Sequence, residues 1–276
     1  SILYVTHRME EIFRLTDRIT VLKNGKLVST VKTKDIDLDG VVKLMTDNWK
    51  SNKLESRHKL GKELLRVEGI ESKDKKVKDA SFNVHEGEIL GIFGLSGSGR
   101  TELLETIYGF RKSTKGEVLL NEKRYNNRTP GKSIKNGMIL ISEDRRGKAL
   151  IGNLTVRENI ILSKLDEYAN KGIMDSKREL NDTKKIIRTL DIKTKGTNQM
   201  VFRLSGGNQQ KIVFAKALLT NPKIFLCDEP TQAVDIKTRE EIHNSLKQKA
   251  EEGNATVFVT SDLKEMLELV DNIQIL

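Results

Sequence analysis

An apolar run that leads directly into a glycine-rich loop constrains the fold more than any other feature of this 276-residue sequence. Residues 88–94 read EILGIFG, residues 94–101 read GLSGSGRT, and an apparent helix follows with TELLETIYG. A continuous apolar run of this length is typical of a buried parallel strand. A strand, a glycine-rich turn and a helix in succession predict an α/β fold with a parallel sheet.

Further strands and helices extend this pattern over residues 63–276. Buried strands are predicted at 223–230 (KIFLCDEP) and 256–261 (TVFVTS), and short strands around LLRVEGI and SFNV. Helical periodicity recurs at 155–165, 176–190 and 208–220. Alternating strands and helices favour a single α/β domain.

An internal repeat links the two ends of the chain. Residues 3–22, LYVTHRMEEIFRLTDRITVL, resemble residues 257–276, VFVTSDLKEMLELVDNIQIL, at an offset of 254 positions (259 − 5). Both stretches read as strand, turn, amphipathic helix and strand. The offset predicts a window from a longer duplicated protein, which starts late in one copy and stops late in the next. Chance similarity of two strand–helix–strand units is the alternative.

Three segments follow from this interpretation. Residues 1–50 are expected to be the tail of the first copy, with a turn at Asn24-Gly25 between two strands. Residues 51–62 are polar, lack periodicity and are interpreted as a linker. Residues 63–276 are expected to be the main domain, and the repeat predicts that this domain is truncated at its C-terminus.

Composition narrows the class of protein. No run approaches 18 consecutive apolar residues, and the single cysteine excludes an intramolecular disulfide framework. Forty-nine Lys and Arg against 39 Asp and Glu give a net charge of +10. Because the lysines are dispersed and no aromatic-rich basic stretch accompanies them, a solvated surface is favoured, with membrane proximity or nucleic-acid binding as alternatives.

The glycine-rich loop has the spacing of a phosphate-binding loop, G-x-x-x-x-G-[K/R]-T. Gly94 and Gly99 would let the backbone wrap a phosphate, and the following helix N-terminus would favour an anion. Thr101 would place its hydroxyl on Mg²⁺. Arg100 stands where lysine is expected. Because its guanidinium is wide and planar, the substitution is expected to preserve phosphate binding better than fast chemistry at the γ-phosphate. A glycine-rich strand–helix turn without ligand remains the alternative.

Two acidic residues follow the apolar run of the strand predicted at 223–230. Asp228 and Glu229 follow four apolar residues, so they are expected at the edge of the sheet where ligands bind in open α/β folds. Asp228 would hold Mg²⁺ through water, and Glu229 would polarise an attacking water. An exposed acidic turn is the alternative.

The string LSGGNQQK lies before a helix, with Ser205 positioned 23 residues ahead of Asp228. Ser205 is a candidate N-cap, and the two glycines permit a close backbone approach. Together with the P-loop and DEPT, this string makes the chain resemble an ABC-type ATPase. The strings GLSGSGRTE, ISEDRR and LSGGNQQK make it similar to the second ATPase half of tandem proteins that energise bacterial monosaccharide import.

The resemblance implies a P-loop ABC ATPase fold, with a RecA-like core, an antiparallel β-subdomain and an α-helical subdomain at about 150–200. It implies ATP and Mg²⁺ as ligands, with Glu229 catalytic, Thr101 and Asp228 at the metal, and Asp235 in the D-loop. Nucleotide binding is carried over to Gly94, Leu95, Ser96, Gly97, Ser98, Gly99, Arg100, Thr101 and Glu102. The signature motif, which acts on nucleotide held by the opposite half, is carried over to Leu204, Ser205, Gly206, Gly207, Asn208 and Gln209.

Departures from the family pattern predict a degenerate second site. Glu143 stands at the Q-loop glutamine position, and His7 matches the H-loop histidine of the first half. At the repeat offset His7 pairs with Ser261, which cannot act on a γ-phosphate as an imidazole does. Residues 73–79, KDKKVKD, have no aromatic where the family has an adenine-stacking residue, and Val77 is the candidate substitute.

The expected partners are the other ATPase half, membrane permease subunits and, through the complex, a sugar-binding protein, with no nucleic acid. The expected location is the cytoplasmic face of the plasma membrane, as a peripheral protein. Two alternatives stay open: a regulatory nucleotide-binding half without hydrolysis, and an ABC ATPase outside transport. The interval of 104 positions from Thr101 to Ser205 leaves no room for the long helical insertion usual in ABC proteins that act on ribosomes or DNA.

Overall fold

The structure is a computed structural model that describes residues 2–4, 9–23, 26–37, 40–41, 44, 60–94, 97–170 and 173–275. The chain divides into two compact units, Ser1–Glu55 and Ser56–Leu276. The division falls inside the segment 51–62 that the sequence predicts to be a linker, most of which lies outside the described residues.

The first unit contains a short helix and a β-hairpin. The helix α1 spans Met9–Leu15, and strands β1 (Arg18–Lys23) and β2 (Lys26–Lys32) pair antiparallel. The turn predicted at Asn24-Gly25 falls on residues outside the described set. Ile19, Val21 and Val41 are the buried apolar residues of a small core.

The second unit combines an antiparallel sheet, a parallel sheet and surrounding helices. Its strands are β3 (Glu63–Ser72), β4 (Ala80–His85), β5 (Ile89–Phe93), β6 (Ser113–Leu120), β7 (Lys123–Arg124), β8 (Met138–Ile141), β9 (Ala169–Asn170), β10 (Ile173–Met174), β11 (Ile224–Asp228), β12 (Ala255–Val259) and β13 (Asn272–Ile275). Its helices are α2 (Arg100–Tyr108), α3 (Pro130–Lys135), α4 (Val156–Ile161), α5 (Leu165–Tyr168), α6 (Ser176–Thr189), α7 (Gly206–Leu219), α8 (Ile236–Glu251) and α9 (Leu263–Leu269).

The parallel sheet has the strand order β13-β5-β12-β11-β8, and every neighbouring pair is parallel. Its strands β11 and β12 are buried along their whole length, which explains their continuous apolar sequences. Because all five strands run the same way, the loops that follow β5, β8, β11 and β12 emerge at one edge. The predicted α/β fold is therefore confirmed.

The antiparallel sheet has the order β4-β3-β6-β7, and its apolar side chains pack with α2 and one side of the parallel sheet. Helices α4, α5 and α6 occupy the segment predicted to be helical between 150 and 200. A capping box starts α4, because the Thr155 hydroxyl accepts from the Glu158 amide while the Glu158 carboxylate accepts from the Thr155 amide.

Helix α1 and helix α9 begin and end 254 positions apart, at the offset of the sequence repeat. Strands β1 and β13 also begin 254 positions apart. The two copies therefore share the succession of helix and following strand. The strand predicted before the helix is present in the second copy, as β12, whereas residues 2–4 of the first copy form no strand and residues 5–8 lie outside the described set. Among the described residues, no helix is long and apolar enough to cross a membrane.

Candidate nucleotide-binding site

Three loops meet where the central strands of the parallel sheet end. Gly94 follows β5, Asp228 is the last residue of β11, and Thr260 follows β12. The register aligns Asp228 with Val259, and the Glu229 amide donates to the Val259 carbonyl at 2.9 Å. The sheet thus brings the glycine-rich loop and the acidic pair together, although they are separated by more than 120 residues of chain.

The glycine-rich loop has the backbone that its sequence predicts. Gly99 precedes α2 with φ of 96°, and a Cβ there would collide with the carbonyl oxygen of Lys76. Gly97 also has a positive φ, of 83°. L-residues rarely adopt such φ values, so glycine is needed at both positions. Leu95 and Ser96 lie outside the described residues.

The buried hydroxyl of Ser98 has no hydrogen-bond partner in the described part of the chain. A buried polar atom without a partner is costly unless a ligand or water satisfies it. It lies in the loop directly before the N-terminus of α2, where free backbone N–H groups and the helix dipole favour an anion. The loop is therefore suited to bind phosphate.

Thr101 and Asp228 face each other across this edge. The Thr101 hydroxyl donates to Asp228 Oδ1 at 3.2 Å. Burial raises the pKa of Asp228 from 3.8 to about 6, while the Thr101 hydrogen bond opposes the rise. A buried carboxylate that is costly to ionise gains most from a cation, because the cation compensates the charge.

Glu229 lies against the arginine of the loop. The Arg100 guanidinium is 3.7 Å from Glu229 Oε1, and each side chain is only 10% exposed. Burial raises the pKa of Glu229 from 4.5 to about 7, and Arg100 and a hydrogen bond with Ser261 partly offset it. Arg100 also donates to the Thr260 carbonyl at 3.0 Å. A carboxyl group with a pKa near neutrality suits proton transfer. Here, however, the carboxyl group of Glu229 lies beside the Arg100 guanidinium.

The segment after β8 reaches towards the same edge. Glu143, predicted at the Q-loop position, accepts a hydrogen bond of 2.9 Å from the Gln232 side chain. Its charge contributes to the raised pKa values of both Asp228 and Glu229. Glu143 therefore lies close enough to the acidic pair to act on it electrostatically.

The signature segment forms the start of α7. Ser205 is the exposed N-cap, and its hydroxyl accepts from the Asn208 amide nitrogens. A Cβ at Gly207 would contact Asp235 and Thr238, so α7 packs closely on the first turn of α8. Asp235 caps that turn through Thr238, at 2.9 Å from both its backbone and its hydroxyl.

The other predicted site residues have structural contacts. Glu102 accepts from Lys76 Nζ at 2.7 Å, and Gln209 donates to the Leu204 carbonyl at 3.1 Å. His7 lies outside the described residues. Val77, the candidate for base stacking, is only 2% exposed and belongs to the apolar core.

Two sets of contacts at the site have no signal in the sequence. Arg145, in a π-helical turn at 145–149, donates to the Gly206 carbonyl at 2.8 Å and so ties the Glu143 segment to the signature. Glu265, on α9, is 2% exposed and accepts from Thr260 at 2.7 Å and from Thr231. It also pairs with His243 at 2.7 Å. The contacts of Glu265 join the segments that follow β11 and β12.

The described residues contain no group of three or more His, Cys, Asp or Glu side chains that could hold a metal ion alone. Thr101 and Asp228 instead supply two oxygen atoms, which suits an ion that keeps waters and phosphate oxygens as further ligands. Mg²⁺ binds in this way, through one or two protein ligands plus substrate phosphates. The donor set therefore fits magnesium bound with a nucleotide.

A P-loop, an acidic pair after β11 and a signature helix on this sheet define an ATP-binding cassette. Residues 77–232, more than half of the chain, match the family described as ABC transporter. The chain belongs to that family.

Curated relatives match the whole chain. A ribose import ATP-binding protein of Geobacillus kaustophilus is 37% identical over 276 residues, which are 100% of this chain and 56% of that protein. A galactose/methyl galactoside import ATP-binding protein of Clostridium perfringens is 36% identical over 278 residues, covering 100% and 54%. The chain thus spans about half the length of the curated relatives it matches.

Solved structures share the fold. A dimeric post-hydrolysis ATP-binding cassette bound to ADP and Pi has a TM-score of 0.67 and 28% identity, covering 77% of this chain and 94% of that chain. The dimeric structure of a bacterial ABC transporter cassette has a TM-score of 0.66 and 27% identity, with the same coverage. The predicted ABC ATPase fold is confirmed.

Proposed function

We propose that this chain is part of the ATP-binding subunit of an importer for monosaccharides, which couples ATP binding and hydrolysis to sugar uptake through a membrane permease. The observation that carries the proposal is the contact of Thr101 with Asp228, beside a phosphate-binding loop. The similarity to ribose and galactose import ATP-binding proteins supports the sugar class.

The loop residues 94–99 and the N-terminus of α2 bind the nucleotide phosphates. Thr101 and Asp228 would hold Mg²⁺, which would supply charge neutralisation at the nucleotide phosphates. Glu229 accepts a proton from the attacking water, because its pKa of about 7 lets it accept protons at neutral pH.

Hydrolysis at this site is slow in our proposal. The Arg100 guanidinium contacts both the Glu229 carboxylate and the Thr260 carbonyl at the edge of the sheet. Ser261 is a neutral group beside Glu229 at the place of the switch histidine. Binding of ATP is retained because the loop amides, Thr101, Asp228 and the positive charge of Arg100 remain available to the phosphates and the metal ion.

A complete site requires the other ATPase half. Ser205 is exposed at the start of α7 and is free to meet nucleotide held by a second cassette. The 254-position repeat supports residues 1–50 as the tail of that other half, including His7 as its switch histidine. The competent site would combine the P-loop of the other half with the signature residues 204–209 of this chain.

An apolar surface near the helical segment is the proposed permease contact. A cavity of about 360 Å³ is lined by Arg146, Leu150, Gly152, Val201, Phe202 and Gln209. Phe202 is 59% exposed and Ile151 43% exposed. Because the cavity adjoins the segment that carries Glu143 and Arg145, closure on ATP would be transmitted to a permease. We place the protein at the cytoplasmic face of the membrane, with a sugar-binding protein reached through the permease.

The first experiment measures binding of ATP and ADP by calorimetry, with and without Mg²⁺. We expect micromolar, Mg²⁺-dependent binding by the wild-type chain and much weaker binding by Arg100→Ala. Arg124→Ala removes an exposed arginine of β7 and is the matched control. Absence of binding by the wild type would contradict the proposed site.

A regulatory half without hydrolysis is the second candidate function, and the Arg100–Glu229 contact favours it. The two candidate functions are separated by measuring the rate of phosphate release from ATP when a first ATPase half is supplied in trans. Release that depends on Ser205 but not on Glu229 supports the regulatory role of this P-loop. Turnover by the isolated chain at the rate of an intact transporter would refute the degenerate site.

A further inference from the structure

Helix α6 is held to the second unit along one side. Thr183 is fully buried, and Ile186 and Ile187 pack against the larger apolar core. Glu179 is buried as well, and its carboxylate pairs with Arg157 of α4 at 2.9 Å. Because packing and a buried ion pair fix this side of the helix, the opposite side is directed to solvent.

The solvent side of α6 carries four exposed cations, Lys177, Lys184, Lys185 and Arg188, which together form the basic face of α6. At 3.6 residues per turn they lie within an arc of about 100° and along about 17 Å of the helix axis. Asn181 is the only other residue in this arc, so no acidic side chain interrupts it. None of the four cations forms an ion pair with a described residue.

The acidic groups next to the basic face are already engaged. Asp182 accepts from the Tyr168 hydroxyl at 2.9 Å and lies 3.9 Å from Arg178. Asp191, beyond the end of the helix, pairs with Lys193 at 2.6 Å. The basic face therefore keeps its charge for a partner that is not part of the second unit.

The chemistry of the face fits a layer of anionic headgroups. Lys184 and Arg188 lie four positions apart on the helix, where like charges repel, and an array of negative charges relieves this repulsion. An anionic membrane surface attracts each nearby Lys or Arg. Ile173, just before the helix, is 76% exposed and offers an apolar side chain to the headgroup layer. Single-stranded nucleic acid is favoured less, because the face has no aromatic residue on which a base would stack.

We infer that the basic face of α6 is a docking surface for a membrane that contains anionic phospholipids. The inference goes beyond the proposed importer function, and it does not depend on nucleotide binding. It adds a direct lipid contact to the permease contact proposed around Phe202.

The test mixes the full 276-residue chain with large unilamellar vesicles and measures the bound fraction by sedimentation. One set of vesicles is phosphatidylcholine, and the other contains about 30% phosphatidylglycerol. We expect at least about tenfold tighter binding to the anionic vesicles, and a loss of this binding between about 0.05 M and 0.3 M salt. Equal binding to both sets, or no binding to either, would overturn the inference.

Paired charge variants locate the surface. Lys184→Gln combined with Lys185→Gln should weaken binding to anionic vesicles by about five- to twentyfold, because each cation near such a surface contributes about fivefold. Lys115→Gln combined with Lys123→Gln removes the same charge from exposed positions of the antiparallel sheet and should leave binding unchanged. Equal losses in the two double variants would show that net charge alone drives binding, and would overturn the inference.

A second variant and a second polyanion complete the test. Lys177→Gln combined with Arg188→Gln alters the two ends of the same face and should reproduce the loss, and unfolding curves show that each variant is folded. Poly(U) RNA, added to the wild-type chain with anionic vesicles at low salt, should not displace the chain from them. RNA binding that is lost in Lys184→Gln with Lys185→Gln, without vesicle binding by the wild type, would assign the face to nucleic acid and overturn the lipid surface.

Discussion

Replacement of Glu229 by Gln is expected to change how the stability of the chain depends on pH. Glu229 is 8% exposed, and burial raises the pKa of its carboxyl group from 4.5 to about 7. Below pH 4.5 the carboxyl is protonated in both the folded and the unfolded chain. Between about pH 4.5 and pH 7 the unfolded chain ionises first, so stability falls as the pH rises.

The magnitude follows from the size of the pKa rise. A rise from 4.5 to about 7, at about 1.4 kcal/mol per unit, corresponds to a loss of about 3 kcal/mol that is complete above pH 7. Glutamine has nearly the shape of the protonated acid and does not ionise. Glu229→Gln should therefore match the wild type near pH 4.5 and exceed its stability by up to about 3 kcal/mol at pH 8.

Urea unfolding of both chains, followed by circular dichroism in metal-free buffer from pH 4.5 to pH 8.5, measures this difference. Glu268→Gln, at a side chain of α9 that is 58% exposed, removes the same charge at the surface and is the matched control. The difference between Glu229→Gln and wild type should grow with pH, whereas the control should run parallel to the wild type. Parallel curves for all three chains would show that the Glu229 pKa is not raised, and would refute the role of burial.

Three further predictions concern the same edge of the sheet. Gly99→Ala should weaken ATP binding at least tenfold in calorimetry, because the methyl group would meet the Lys76 carbonyl; unchanged affinity would contradict this backbone contact. Thr101→Val should reduce the Mg²⁺ dependence of ATP binding, and a dependence equal to wild type would remove Thr101 from the metal site. Glu265→Ala should lower the free energy of unfolding by about 3 kcal/mol in urea, since it removes the carboxylate of a buried polar network; a loss no larger than that of an exposed glutamate would exclude such a network.

Local patterns predicted the elements that carry the site. The apolar run before Gly94, the serine and glycines before α7, and the acids after β11 each depend on residues within a few positions of one another. Their structures follow from local rules: a buried parallel strand is apolar throughout, a serine caps a helix, and glycine is required where φ is positive. The repeat offset of 254 likewise predicted where α1 and α9 lie, because both depend on the same local pattern.

The partners of the charged side chains could not be predicted in this way. Arg100 contacts the Thr260 carbonyl, 160 positions away, and Arg145 contacts the Gly206 carbonyl, 61 positions away. A long cation can reach many oxygens, and spacing in the sequence does not say which of them lies in reach. Strand order and register decide this, because they determine which loops emerge side by side.

The sequence by itself determined the α/β class, the phosphate-binding loop and the residue types offered to a nucleotide. Only the tertiary structure decided that Glu229 is buried against Arg100 and Ser261. It also decided that the turn between β3 and β4 packs against Gly99 of the phosphate loop, with Val77 buried. The physical reason is that burial and electrostatic environment are properties of neighbours in space. In a parallel sheet those neighbours are brought together from distant parts of the chain.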